Sequence, residues 1–231
     1  MRLKEYKSED FYKARCPNCL WVVNEYYKSR KGEKCPNCGY EGVTSFPGDQ
    51  SAHILGGMIH FIDSYNQKIK GDRHIFPPQV YLPIIFATSN YETLLNSLVQ
   101  DLMKKYGKYL GRLGRFMVYS EVLSSYDKRA NEKIFKMLTL TSVQEAVQNE
   151  FPNYFKDFNE IVRVRNNVVH GKELDATEIA LQMPNKAIDF LLESVDVFSH
   201  LNNYYVVKFM ENVNYKKVLR LGEHEEFQPE V

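Results

Sequence analysis

The chain has 231 residues, enough for one substantial hydrophobic core with a small accessory module. Apolar residues make up 44% and charged residues 26%, the proportions of a globular protein, which excludes general disorder. Thirty Lys and Arg against 29 Asp and Glu leave a net charge of +1, so no global field draws the chain to nucleic acid or membrane, and such binding would need a local patch. No apolar run approaches the ~18 residues of a spanning helix. The longest, at 80–87, contains Pro83. The first ten residues lack the apolar core of a secretory signal. The four cysteines fall in two C-P-N-C pairs, leaving none for a disulfide framework. A cytoplasmic location is the expectation.

The first element is built on those cysteines. Cys16, Cys19, Cys35 and Cys38 are spaced C-x2-C-x15-C-x2-C, within the range of a four-thiolate zinc site. Two thiolates two residues apart reach one ion from a tight turn, and two such turns complete a tetrahedron. Gly39 can take the positive φ that the second turn wants, whereas the first continues into Leu20. Between the pairs, L-W-V-V-N-E-Y-Y reads as a strand and S-R-K-G-E-K as a hairpin tip. The module, taken as 1–45, resembles a zinc ribbon over residues 11–43. Zinc is expected to be structural and to supply much of the folding energy of so small a unit. A dithiol redox role is disfavoured by the two matched pairs. Lys13, Arg15, Lys28, Arg30, Lys31 and Lys34 predict a mildly basic surface.

The stretch V-T-S-F-P-G-D-Q reads as a linker. From residue 50 the helical period dominates. Residues 53–69 form a first amphipathic helix, and 79–106 a longer one with Tyr91, Leu94, Leu95, Leu98 and Leu102 on one stripe. Shorter helices are expected at 115–125 and 128–139. Ser142 with Glu145 makes a capping box for another. A helix over 153–170 stops at Gly171. Asp175 with Glu178 opens the next, which Pro184 interrupts or restarts. Ile188, Leu191, Leu192, Val195, Phe198 and Leu201 make the last long stripe. The expectation is a mostly α protein: a helical bundle over 50–215 after a small β ribbon, then an acidic tail at 216–231.

The segment R-V-R-N-N-V-V-H-G at 163–171 is the most informative. On a helix, Ile161, Val164 and Val168 form one apolar stripe and Val162 and Val169 a second, with Arg165 between them. If that face is buried, the guanidinium must be paired or serve an anion. Arg163, Asn166, Asn167 and His170 fall on the other side. As plain structure, such an Arg and Asn bond to nearby carbonyls or a carboxylate, and a His in the last turn is favoured by the helix dipole.

At these residues the chain resembles the HEPN superfamily of helical ribonucleases. Its motif is an Arg, a polar residue directly after it, and a His with four to six residues between Arg and His. Arg165, Asn166 and His170 fit, with four intervening residues. Arg163 also fits the spacing, but Val164 breaks the polar-residue rule. The late F-S-H-L-N-N-Y-Y-V-V helix is similar too. The resemblance implies a metal-independent endoribonuclease in which the RNA 2′-OH attacks the adjacent phosphate. His170 would transfer protons, Arg165 would bind phosphate, and Asn166 would position. It further implies a homodimer with a composite cleft, RNA as substrate, and a toxin or antiphage defence role with an antitoxin or other regulatory partner. The alternative is a non-catalytic dimeric scaffold whose ribbon binds nucleic acid or protein.

Other candidates are weaker. His53 and His60 share a helix face without a carboxylate at ligand spacing and read as ordinary helix residues. Glu92 reads as a surface or core-rim ion pair. Lys104, Lys105, Lys108, Arg112 and Arg115, with no acidic residue among them, are the best local candidate for an RNA-backbone contact.

Overall fold

The computed structural model describes residues 2–68, 81–106, 128–170 and 179–208. A short helix α1 (Ser8–Phe11) leads into strand β1 (Lys13–Arg15), followed by β2 (Val22–Tyr26) and β3 (Thr44–Phe46). Helices α2 (Asp49–Lys68), α3 (Leu82–Tyr106), α4 (Lys128–Thr139), α5 (Val143–Val147), α6 (Tyr154–Val169) and α7 (Ile179–Leu201) follow, and α7 widens into a π-helical segment, Asn202–Val207. The protein is therefore mostly helical, with one small antiparallel sheet ordered β2-β1-β3.

The sheet corrects one expectation. V-T-S-F-P-G-D-Q is not a linker: Thr44, Ser45 and Phe46 pair with Arg15, Ala14 and Lys13, and α2 begins at Asp49. Only Pro47 and Gly48 separate strand from helix. The turn-rich composition hid a strand three residues long whose last side chain, Phe46, is buried.

The helical stripes behave as patterned. Tyr91, Leu94, Leu95, Leu98 and Leu102 of α3 are all at most 4% exposed. Pro83 sits in the first turn of α3, where its missing N–H leaves no bond unmade. Ser142 and Glu145 form the capping box: Ser142 Oγ accepts the Glu145 N–H at 3.2 Å, and Glu145 Oε2 accepts the Ser142 N–H at 2.8 Å. Pro184 neither interrupts nor restarts a helix; it lies inside a continuous α7. There it is buried beside Met183, and the apolar stripe continues through Ala187, Ile188 and Leu191. Burial of that stripe, worth about 1.5–3 kcal/mol for each large side chain, offsets the roughly 3 kcal/mol cost of an interior proline. The helix expected at 115–125, the Asp175–Glu178 start, Gly171 and the acidic tail lie outside the described residues.

The ribbon is not a separate bead. Leu3, Phe11, Val22 and Phe46 belong to one hydrophobic core with the bundle residues. The residues before α1 run as a strap over α2 and α7. Asn66 accepts the Leu3 N–H and donates to the Leu3 carbonyl, both at 2.9 Å, so its amide mimics a neighbouring strand. At the other side, one side chain of the π-helical segment does the same for β2 and a second holds a residue just before it. Asn203 accepts the Val22 N–H and donates to the Val22 carbonyl, both at 2.7 Å. Asn202 donates to the Leu20 carbonyl at 2.7 Å. The wider π turn aims two consecutive amides at the ribbon, and Lys105 donates to the Val206 and Val207 carbonyls that the turn frees.

Asn203→Ala leaves the Val22 N–H and carbonyl without side-chain partners, so a loss of about 1–3 kcal/mol is expected in denaturant unfolding. In the core of α3, Asn90 is fully buried, and neither amide atom finds a partner among the described residues. A partnerless buried amide carries a desolvation cost, so Asn90→Leu is expected to raise stability by about 1 kcal/mol, read as a higher urea midpoint.

Candidate metal centre and candidate catalytic turn

The two C-P-N-C turns repeat one hydrogen-bond pattern. Cys16 N–H bonds to the Trp21 carbonyl at 2.9 Å, and Leu20 N–H to the Cys16 carbonyl at 3.0 Å. Cys35 N–H bonds to the Tyr40 carbonyl and Gly39 N–H to the Cys35 carbonyl, both at 2.8 Å. Both turns need a left-handed residue after the second cysteine. Gly39 supplies it at φ 71°, and Leu20 adopts it at φ 67° despite its side chain. The bond from Asn202 to the Leu20 carbonyl holds that conformation.

These turns bring all four sulfurs within 4.8 Å of one another. Cys16 and Cys38 Sγ are 3.7 Å apart, and Cys19 and Cys35 Sγ 3.6 Å. Neither distance is that of a disulfide, about 2.05 Å. Both approach the roughly 3.8 Å edge of a tetrahedron with metal–sulfur bonds of about 2.3 Å. The donor set thus fits a tetrahedral, thiolate-preferring cation. The sulfurs differ in environment. Burial pushes the Cys16 thiol up to about 12 and raises Cys19, whereas the Tyr40 backbone and Asn18 side chain pull the exposed Cys38 down to about 6. Binding a cation draws the protons from all four.

Half of the basic surface expected of the ribbon is taken up by ion pairs. Lys13 is buried and paired with Asp196 of α7, and Arg15 is paired with Asp101 of α3. Arg30 bonds to Glu25 at 3.1 Å and Glu33 at 3.0 Å within the ribbon. Lys28, Lys31 and Lys34 remain exposed. The same holds further along: Lys105 serves the π turn, Lys104 is exposed, and Lys108, Arg112 and Arg115 lie outside the described residues. His53, His60 and Glu92 are exposed on α2 and α3.

Helix α6 is held by its first half. Tyr154, Phe158, Ile161 and Val164 are buried, and Phe158 lies 4.2 Å from Tyr91 and 5.5 Å from Phe190 between ring centroids. Lys186 of α7 reaches Asp157 and Glu160, each at 2.6 Å. Past Val164 the helix leaves the core. Arg163, Arg165, Asn166 and His170 are exposed, Val168 is half-buried, and Val169 is 53% exposed. Of the second stripe, Val162 packs against the core and Val169 is open, and among the described residues no buried carboxylate takes up Arg165. Arg165 donates to Asn166 Oδ1 at 3.2 Å, joining the two candidates. His170 is the C-terminal cap, its N–H bonded to the Asn166 carbonyl at 3.0 Å. Its side chain starts about 7.5 Å along the axis from Arg165 and about 10.5 Å from Arg163.

Compared with known proteins, the chain matches no family model, no curated protein and no solved structure. Among the described residues, no helix is long and apolar enough to cross a membrane.

Since Val22 and Phe46 belong to the bundle core, removing an ion held by the four thiols is expected not to melt the ribbon alone. Cys35→Ser, or excess chelator, is expected to lower stability by at least about 3 kcal/mol, in one transition that takes the helical circular-dichroism signal with it. A helical signal that stays unchanged while the ribbon unfolds would contradict that coupling.

Proposed function

We propose that the protein is a metal-independent endoribonuclease of the HEPN type, acting as a homodimer, with a structural zinc ion on Cys16, Cys19, Cys35 and Cys38. The observation that carries this reading is the exposed end of α6. Arg165, Asn166 and His170 stand free of the core beside the open apolar side chain of Val169. Their side chains make no buried bond among the described residues, so they are open to a substrate or to a second copy. Zinc is the ion that four thiolates at tetrahedral spacing hold best without redox chemistry.

The chemistry follows from the residue types. RNA is cut without metal when its 2′-OH loses a proton and its oxygen attacks the neighbouring phosphorus. The bond to the 5′-oxygen breaks, and that oxygen takes up a proton. His170, whose imidazole can both give and take a proton, serves as acid or base. Arg165 holds the phosphate oxygens through its planar fork as charge builds on them. Asn166, already bonded to Arg165, orients the pair. Arg165 and His170 of one chain diverge around the helix, so a second copy of the turn completes the cleft. Val169, 53% exposed, supplies an apolar rim for that contact. The products carry 2′,3′-cyclic phosphate and 5′-hydroxyl ends.

The test is cleavage of a mixed RNA pool without divalent metal. Wild type is expected to cut, and His170→Ala and Arg165→Ala to lose at least about 100-fold in rate with unchanged circular dichroism. Loss with Arg163→Ala but not Arg165→Ala would move the phosphate contact to Arg163. Absence of cleavage by a folded wild-type dimer favours the scaffold reading.

A further inference from the structure

The outward side of α6 carries a single row of side chains. Lys156, Asn159, Arg163, Asn166 and His170 follow one another at alternating steps of three and four residues, and all five are exposed. That spacing keeps them within one narrow strip of an α-helix, which runs about 21 Å along the axis from Lys156 to His170. Each of them offers a hydrogen-bond donor or a cation, and none is acidic.

The pairing of the neighbouring charges leaves this row free. Glu160 stands three residues before Arg163 and four after Lys156, the two spacings at which a carboxylate meets a cation on a helix surface. Lys186 of α7 takes Glu160 instead, at 2.6 Å, and Asp157 at the same distance. The side chains of Lys156, Asn159 and Arg163 make no hydrogen bond or ion pair among the described residues. A chain with 30 basic and 29 acidic residues thus shows charge of one sign along this strip. Lys156 and Arg163 are about 10.5 Å apart along the axis, and His170 lies as far again beyond Arg163. A small anion needs cations that converge on one point. Cations spaced in line fit a linear polyanion.

We infer that this row is a track for the backbone of single-stranded RNA, with Lys156 and Arg163 each holding a phosphate on one side of the bond presented to His170. The inference rests on the cleavage reading for the identity of the polyanion. It goes beyond that reading by assigning substrate contacts to residues that take no part in the chemistry. In-line attack by a 2′-OH needs a strand free of an A-form duplex, so the strand on the track is single. Contacts of this kind position the strand and carry no base preference.

The experiment measures binding of a fluorescein-labelled, 2′-O-methylated decauridylate to the full-length protein over a range of salt concentrations. Its blocked 2′-oxygens cannot attack, so binding is read apart from cleavage. Wild type is expected to bind, with an affinity that falls as salt rises. Lys156→Gln and Arg163→Gln are each expected to weaken binding roughly three- to tenfold at about 0.1 M salt. Each is also expected to flatten the plot of log K against log salt by about 0.7, the contribution of one phosphate in a single strand. Lys156 is the cleaner probe, because it lies too far from His170 to touch the reacting atoms. Asn159→Lys adds a cation to the row and is expected to tighten binding and steepen the plot, a gain that misfolding cannot mimic. Lys31→Gln, at an exposed position on the ribbon, is the control and is expected to change neither. Wild type that does not bind, Lys156→Gln that binds like wild type, or Lys31→Gln that weakens binding as much as Lys156→Gln overturns the inference. So does decaglutamate that displaces the RNA at equal concentration, which would make the partner an acidic protein segment. A protein that binds through Lys156 but cuts no RNA keeps the track and loses the nuclease. One that cuts RNA yet binds equally well without Lys156 loses the track alone.

Discussion

Two asparagine side chains hold the two halves of this protein in register. Asn203 presents an amide to Val22 as a neighbouring strand would, and Asn202 closes on the carbonyl of Leu20. A three-stranded sheet with strands of three to five residues has little stability of its own. What orders it is a metal-sized cluster of thiols on one side and a helix end on the other. The π-helical widening of Asn202–Val207 makes the second contact possible, because it turns both amides toward the ribbon. Lys13 and Arg15 add ion pairs to α7 and α3 from the central strand. Two residues that look like part of a basic surface in the sequence, Lys13 and Arg15, are therefore internal struts.

The same logic of a fixed root and a free tip governs α6. An aromatic cluster of Tyr91, Tyr154, Phe158 and Phe190 anchors its first half, and Lys186 ties it to α7 through two carboxylates. Its last turn carries Arg165, Asn166 and His170 into solvent. A rigid scaffold that ends in an exposed polar turn is a good mount for groups that must meet a substrate or a second copy of themselves.

Much of this was legible in the sequence for physical reasons. The cysteine spacing has few stable solutions other than one ion, and the sulfurs do converge. Long apolar stripes with a 3.6-residue period, such as Leu94 to Leu102 or Ile188 to Leu201, leave little choice but a buried helix face. The local signals failed where tertiary contacts decide. Thr44–Phe46 is too short to show alternation, and it becomes a strand because β1 offers it an edge. Pro184 reads as a breaker, yet packing keeps the helix whole. No local rule marks Asn203 as a strand mimic or Asn202 as its companion, since their partners lie 181 and 182 residues away. The exposure of Arg165 could not be read from its place between two valine stripes; it depends on where the core ends.

That separation in sequence has a consequence for the nascent chain. The ribbon emerges from the ribosome well before its clamp. At about 5–20 residues per second, the 181 residues between Val22 and Asn203 take roughly 10–40 s to synthesise. Throughout that interval Leu20 and β2 lack the asparagines that hold them in the finished protein. The four sulfurs are all local to the first 38 residues, so they are the only part of the double anchor present from the start. Metal capture during synthesis would therefore set the order of events: the ribbon forms around its ion, waits as an early docking template, and is locked when the end of α7 arrives.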